Sequence, residues 1–282
     1  MNNLKEKGMR LVFLAAACVS ILCVALICIF LFAGGLPAIA EIGPLNFLLG
    51  SRWKPGQGLY GIAPMIVGSL YVTTGAILVG MPTGVLTAVF MAQFCGKGVH
   101  RLLSPAVSLM AGIPSIVYGF FGLVVLVPAL RALGLGGKSV LTASILLGVM
   151  ILPTIITVSE AAIRAVPDSY YEGALALGAS PERSVFFVQL PAAGSGILAA
   201  AVLGIGRAVG ETMAVVMVAG NQAIFPESIT SGVRTLTANV VLEMGYAADL
   251  HREALIATAV VLFVFILAIN LLLALLKRGR SS

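Results

Sequence analysis

Charged residues are what this sequence has least of: 10% of its 282 residues, where a soluble domain carries about 25%. With 60% of the chain hydrophobic, there is too little polar surface to cover a water-soluble globule. That excludes an ordinary soluble domain and leaves lipid as the solvent. Histidine is nearly absent. The two present, His100 and His251, stand in loops on opposite sides of the expected spans, so neither histidine catalysis nor a histidine metal cluster is expected. No nucleophile–base set stands out elsewhere, so no catalytic residue and no metal site is assigned. Cysteine is limited to Cys18, Cys23, Cys28 and Cys95. The first three step by five residues, about 140° on a helix, and fan around it instead of sharing a face. They read as small apolar residues, not as disulfide partners or metal ligands. There is no low-complexity tract and no soluble-domain linker, so residues 1–282 read as a single transmembrane domain.

What the chain has in quantity is apolar length. A helical span needs roughly 20 apolar residues, and six segments supply them: about 11–33, 63–92, 103–129, 139–161, 193–220 and 254–276. The expected fold is therefore all-α integral membrane with six transmembrane helices. With the N-terminus in the cytoplasm, the inner basic set is Lys5, Lys7, Arg10, Lys97, Arg101, Arg164, Arg183, Lys277, Arg278 and Arg280. The outer set is smaller: Arg52, Lys54, Arg131, Lys138, Arg234 and Arg252. This asymmetry predicts both termini in the cytoplasm of a multi-pass protein of the cell's inner membrane. The net charge of +6 thus reports topology and gives no reason to expect a nucleic-acid partner. Ala38-Ile39-Ala40 has the look of a signal cleavage site, but the apolar run Leu11–Ala33 exceeds the 7–15 residues of a signal core, so retention as a span is expected.

The connections differ in information. The first outer loop, about 34–61, reads as irregular or interfacial, with Trp53 and Tyr60 at headgroup level. Pro82 and Pro114 sit inside spans and should kink them. The outer loop 222–253 is long and mixed in charge. The cytoplasmic segment 165–191 is too long for a plain connector. Ser169 and Glu172 have capping-box spacing at the start of a helix over 170–177, and Gly178 is placed to end it. Ser180 and Pro181 open a second helix, and Pro191 should stop it. This helical hairpin either docks a partner or covers the cytoplasmic ends of the spans.

Two glycine motifs mislead. Residues 132–139 end like a phosphate-binding loop, Gly-Gly-Lys-Ser, but have Ala132 where glycine is required and lack the strand–helix context. Gly204, Gly206 and Gly210 have the wrong spacing for a dinucleotide fingerprint and suit close helix approach instead. Arg207 and Glu211 carry the chemistry. Charges at that depth cost at least a few kcal/mol each and must face protein or a water-filled cavity. At i, i+4 on one helix they share a face and can pair. They read as a polar translocation site, or else as a buried ion pair that fixes helix packing. A guanidinium fork suits oxyanions. Glu160 and Arg164, also i, i+4, read as a helix-end pair with access to water.

Glu172-Gly173-Ala174, Gly178 and then Val188-Gln189-Leu190-Pro191 resemble the EAA loop of ABC importer permeases, with Gly173 in place of the usual alanine. Residues 113–119 (IPSIVYG) and 206–215 (GRAVGETMAV), followed by Ala219-Gly220-Asn221, are similar to phosphate-importer permeases, and to the PstC branch more than to PstA. The likeness runs from about Trp53 to the C-terminus. It implies a type I ABC importer permease fold, moving inorganic phosphate inward. It implies a heterodimer with a PstA-like permease, two copies of a PstB-like ATPase that carry ATP and Mg, and a PstS-like phosphate-binding protein outside. This chain would bind no cofactor. Glu172, Ala174, Gly178, Leu190 and Pro191 would form the ATPase-coupling element, and Arg207 and Glu211 would line the path. The same architecture carrying tungstate, molybdate or sulfate is an alternative. An ion-coupled secondary transporter is another, although no inverted repeat is evident.

Overall fold

The computed structural model describes residues 2–278 and is almost entirely helical. Arg280, counted above with the inner cations, lies outside the described residues, as do the side chains of Lys5, Lys7, Lys277 and Arg278.

The chain opens with a long helix, α1 (Asn2–Ile42), and a short one, α2 (Pro44–Leu49). A small antiparallel hairpin follows, β1 (Trp53–Lys54) paired with β2 (Leu59–Tyr60). Helix α3 (Ala63–Val89) closes with a wide π turn at Phe90–Phe94. After α4 (Lys97–Gly112) and α5 (Ser115–Phe121), a π turn at Gly122–Leu126 leads into α6 (Val127–Ala132). Next come α7 (Val140–Arg164), α8 (Asp168–Ala176) and α9 (Pro181–Ser184). A π turn at Val185–Gln189 joins α9 to α10 (Leu190–Ala192). The rest is α11 (Gly194–Gly210), α12 (Met213–Val218), α13 (Leu236–Glu243) and α14 (Asp249–Arg278).

Five helical stretches are long and apolar enough to cross a membrane: Gly8–Ile42, Ala63–Phe94, Ser115–Ala132, Val140–Arg164 and Asp249–Leu271. A sixth crossing is formed if Pro181–Ala192 and Gly194–Gly210, bent by 69°, count as one broken span. Prolines explain two of the irregularities. Pro128 and Pro191 each follow a π turn by two residues. Each lacks an N–H and crowds the carbonyl four residues back, and a widened turn accommodates both.

The central pair is α3 against α7. It closes on small residues: a Cβ on Gly75 would strike Ser144, one on Gly80 would strike Ile151 and the Gly148 carbonyl, and one on Gly84 would strike Ile155. Close backbone approach through small residues is how helices pack where lipid removes the hydrophobic drive. Around this pair α5, α11 and α12 bury Tyr118, Ala208, Ala214, Val215 and Val218. Helix α1 packs along α14, where Gly35 meets Ala257 and Val260 and Phe32 meets Phe263 edge-on at 6.0 Å. The rest of α1 is an exposed apolar surface from Leu11 to Phe30, as a lipid-facing helix should be.

Four expectations are corrected. The segment 103–129 is not one helix: it breaks at Ile113–Pro114, where Pro114 takes an extended backbone and becomes the N-cap of α5. The segment 193–220 breaks at Glu211 and Thr212. Residues 34–42 continue α1 instead of forming an irregular loop, and Trp53 and Tyr60 are buried within the chain. The outer segment 222–253 contains α13, capped by Thr235 Oγ1, which accepts from the Ala238 N–H.

Candidate functional site

Helix α11 is 17 residues long, about 25 Å at 1.5 Å per residue. It runs from the hairpin into the bundle, and Arg207 lies in its last turn. A cation there complements the negative end of the helix dipole. At Glu211 the backbone turns extended (φ −69°, ψ 128°). The Glu211 carboxylate then accepts hydrogen bonds from the N–H groups of Thr212 (3.1 Å) and Ala214 (3.2 Å), holding the start of α12 as a capping group does. The Glu211 carbonyl, left without a helical partner, accepts from Thr237 Oγ1 of α13 at 3.1 Å.

The expected Arg207–Glu211 pair is therefore not formed. The i, i+4 relation assumed a continuous helix, and the helix ends between the two residues. Glu211 is engaged with backbone, and Arg207 has no carboxylate partner among the described residues.

A second break lies alongside. The Tyr118 hydroxyl of α5 donates to the Met110 carbonyl at the end of α4 (2.9 Å), bridging the gap at Ile113–Pro114. Helix α5 packs on α12 so closely that a Cβ on Gly119 would come within 2.9 Å of the Ala214 backbone. The two interrupted helices thus pack together through α5 and α12. Tyr118 and Thr237 were missed as site residues. A Gly–Glu–Thr sequence inside an apolar run, with a terminator followed by an N-cap residue, was the available signal for the break.

At the other end of α11 stands the hairpin. The Ser169–Glu172 capping box is absent: α8 begins at Asp168 with Pro167 as its N-cap and no side-chain cap. Its end is as anticipated. Gly178 has φ +86°, its N–H reaches the Leu175 carbonyl, and the Ala179 N–H reaches the Ala174 carbonyl, which together make a Schellman cap. Ser180 Oγ accepts from the Arg183 N–H at 3.3 Å. Pro191 does not stop the second helix. The turn comes at Ala193, after a π turn absorbs the proline. Ala174 is buried, and Leu190 packs with Ala88, Val89, Ile163 and Val185, tying the hairpin to the ends of α3 and α7. Glu172, Gly178 and Pro191 are exposed. So are Leu177 (91%) and Phe187 (74%).

The Glu160–Arg164 pair is present (2.9 Å) and is larger than expected: His100 Nε2 lies 2.8 Å from the same carboxylate oxygen, and Arg164 also donates to the Met91 carbonyl. The apparent phosphate loop at 132–139 is the turn between α6 and α7, with Gly134 and Gly136 at positive φ and Ser139 as the cap of α7. Of the three glycines on α11, Gly204 packs against Ile155, whereas Gly206 and Gly210 face open space.

Comparison with known proteins agrees with this layout. Residues 80–282 match the family described as binding-protein-dependent transport system inner membrane component. The chain is 38% identical to a probable ABC transporter permease protein, YqgH, of Bacillus subtilis, over 96% of this chain and 92% of that one. It is 32% identical to the phosphate transport system permease protein PstC of Mesorhizobium japonicum, over 89% and 83%. Among solved structures, the inward-facing MetNI methionine ABC transporter aligns with TM-score 0.61 at 21% identity, covering 82% of this chain and all of that one. A bacterial alginate importer aligns with TM-score 0.59 at 16% identity, over 94% and 96%.

Proposed function

Because this chain belongs to the family of binding-protein-dependent transport system inner membrane components, we propose that it carries inorganic phosphate inward by alternating access, driven by ATP hydrolysed on another chain. It is a multi-pass inner-membrane permease of an ABC importer, a transport component and not an enzyme. An ATPase and a substrate-binding protein work with it. We assign the first as two copies of a PstB-like chain holding ATP and Mg, the second as a PstS-like protein on the outer face, and a PstA-like permease as the other half of the path. Both termini are then cytoplasmic, and this chain needs no cofactor of its own.

The observation that carries the reading is Arg207, a guanidinium in the last turn of α11 with no carboxylate partner among the described residues. An intramembrane charge persists where it faces a path or a partner, and its planar fork matches the oxygens of phosphate. Glu211 is a positioning residue: it holds α12 and so fixes where the break occurs. Glu172, Ala174, Gly178, Leu190 and Pro191 form the element that meets the ATPase, through an exposed apolar edge at Leu177 and Phe187. ATPase closure would push this hairpin, and α11 would deliver the displacement to Arg207 along one rigid helix.

The test is labelled-phosphate uptake into vesicles holding the four components, with each omitted in turn and with sulfate and molybdate as competitors. Uptake that requires ATP and the binding protein and resists both competitors is the expected result. Uptake of another oxyanion overturns the substrate, and ATP-independent uptake overturns the class.

A further inference from the structure

A helix that breaks must hand its backbone groups to new partners. Had α11 run on through Glu211, the i, i+4 ladder would give the Gly210 carbonyl the Ala214 N–H and the Glu211 carbonyl the Val215 N–H. Three of the substitutes at the break are local. The Thr212 and Ala214 N–H groups donate to the Glu211 carboxylate, and Thr212 Oγ1 donates to the Gly210 carbonyl at 3.2 Å. The fourth comes from a distant part of the chain: Thr237 Oγ1 donates to the Glu211 carbonyl at 3.1 Å. That hydroxyl has one proton, so the Thr235 hydroxyl, 3.1 Å away, donates to Thr237 in turn. Thr237 is firmly placed. Thr235 Oγ1 accepts from the Ala238 N–H, and the Leu236 N–H donates to Ser69 Oγ of α3 at 2.9 Å. A Cβ on Gly68 of α3 would strike Val233 and the Arg234 carbonyl. Val233, Thr235, Leu236 and Thr237 are all buried.

The far end of α12 is held by the same stretch. Asn221 Nδ2 donates to the Val216 carbonyl at 2.8 Å, and the Asn221 carbonyl accepts from Arg234 Nε. Residues 234–237 thus grip both ends of a helix of six residues, one too short to persist alone. We propose that Thr237 is a positioning residue: its hydroxyl replaces the helical partner of the Glu211 carbonyl, holds the break open and so keeps Glu211 from pairing with Arg207. On a continuous helix the two charges would share a face at i, i+4 and pair. The break sends the Glu211 carboxylate to the start of α12 and leaves Arg207 with no carboxylate partner among the described residues. That the guanidinium then serves a transported anion rests on the function proposed above.

Phenylglyoxal labelling of Arg207 in the full-length chain in detergent, read by peptide mass spectrometry, tests this without reading transport. The wild type and T237S, which keeps the hydroxyl, should label Arg207 at the same rate. T237V keeps the shape and removes the donor. It should let α11 run on and pair the two charges, slowing the reaction at Arg207 roughly tenfold, the scale of a hydrogen bond to a charged group. Arg52 and Arg252, both exposed, should label alike in every variant. T237V/E211Q should restore the wild-type rate, because the new carboxylate partner is gone. An unchanged rate in T237V, or a slowed rate that E211Q does not restore, overturns the proposal. E211Q alone, which leaves Thr237 intact, should not alter the rate, and faster labelling in it would mean that the pair is already formed and overturn the proposal as well. Failure of phosphate uptake would overturn the transported anion and leave the labelling result untouched.

Discussion

The two ends of this molecule are built on opposite plans. At one end, Glu243 of α13 gathers three other segments: Trp53 Nε1 donates to it at 2.8 Å, His251 Nε2 lies at 2.9 Å, and Arg234 reaches its other oxygen. Arg234 also donates to the Asn221 carbonyl and to Asn239 Oδ1, each at 3.0 Å. Trp53, Tyr60 and Tyr246 surround the His251 ring. At the other end, the hairpin buries Ala174, Ser184, Val185 and Gln189 and packs Leu190 on the ends of α3 and α7, yet it leaves Leu177 and Phe187 bare. The Glu243 end is closed on itself. The hairpin end leaves apolar side chains uncovered, as a surface does when another protein completes it. In the importer proposed above, the first would act as a fixed roof and the second as a floor moved by the ATPase.

Breaking the roof should have the largest effect. E243A leaves Arg234, His251 and Trp53 without their shared partner, and removing one member of a buried ion pair costs about 3–5 kcal/mol. Thermal unfolding in detergent should show this loss, and E243Q should recover part of it by keeping one acceptor. Acid should act in the same direction. Burial of Glu243 raises its pKa, but the hydrogen bonds from Trp53, His251 and Arg234 and the Arg234 charge outweigh that and hold it below the usual carboxylate range. The stabilisation is then complete above the unfolded carboxylate value of about 4.3 and fades as pH falls below it. E243Q should flatten that acid limb of a stability–pH profile.

The floor should respond differently. G178A forces a Cβ into a left-handed conformation and should destabilise by about 1–2 kcal/mol, while lowering ATP-driven uptake further than stability explains. S180A removes the cap of α9 for about 1 kcal/mol. L177S should change stability by less than about 0.5 kcal/mol, since the Leu177 side chain is almost fully exposed, and yet weaken ATPase association in a pull-down. If L177S destabilises as E243A does, the contrast between the ends is wrong.

Much of this was legible in the sequence, and the exceptions share a cause. The spans at α1, α3, α7 and α14 are uniform apolar runs, so length alone located them. Gly178, Ser180 and Pro181 are local signals and did locally what such residues do. The breaks at Ile113 and Glu211 lie inside apolar runs, where hydropathy stays flat through an interruption and only the backbone partners reveal it. Arg207 was recognised from its charge and depth, but its pairing was misjudged because i, i+4 geometry presumes an unbroken helix. The Glu243 cluster was out of reach: Trp53 and Glu243 are 190 positions apart, and no local periodicity joins them. Helix α13 hid in a segment mixed enough in charge to read as a loop.

In the proposed importer Arg207 serves the anion and not Glu211. This is tested most directly by phosphate uptake of R207A, R207K and E211Q in the assembled importer, with complex assembly measured in parallel. R207A and R207K should assemble normally and lose transport, the lysine variant because a point charge cannot replace the fork, while E211Q should retain most of it because its amide oxygen still caps α12. Full uptake by R207K together with failed assembly of R207A would make Arg207 a packing residue.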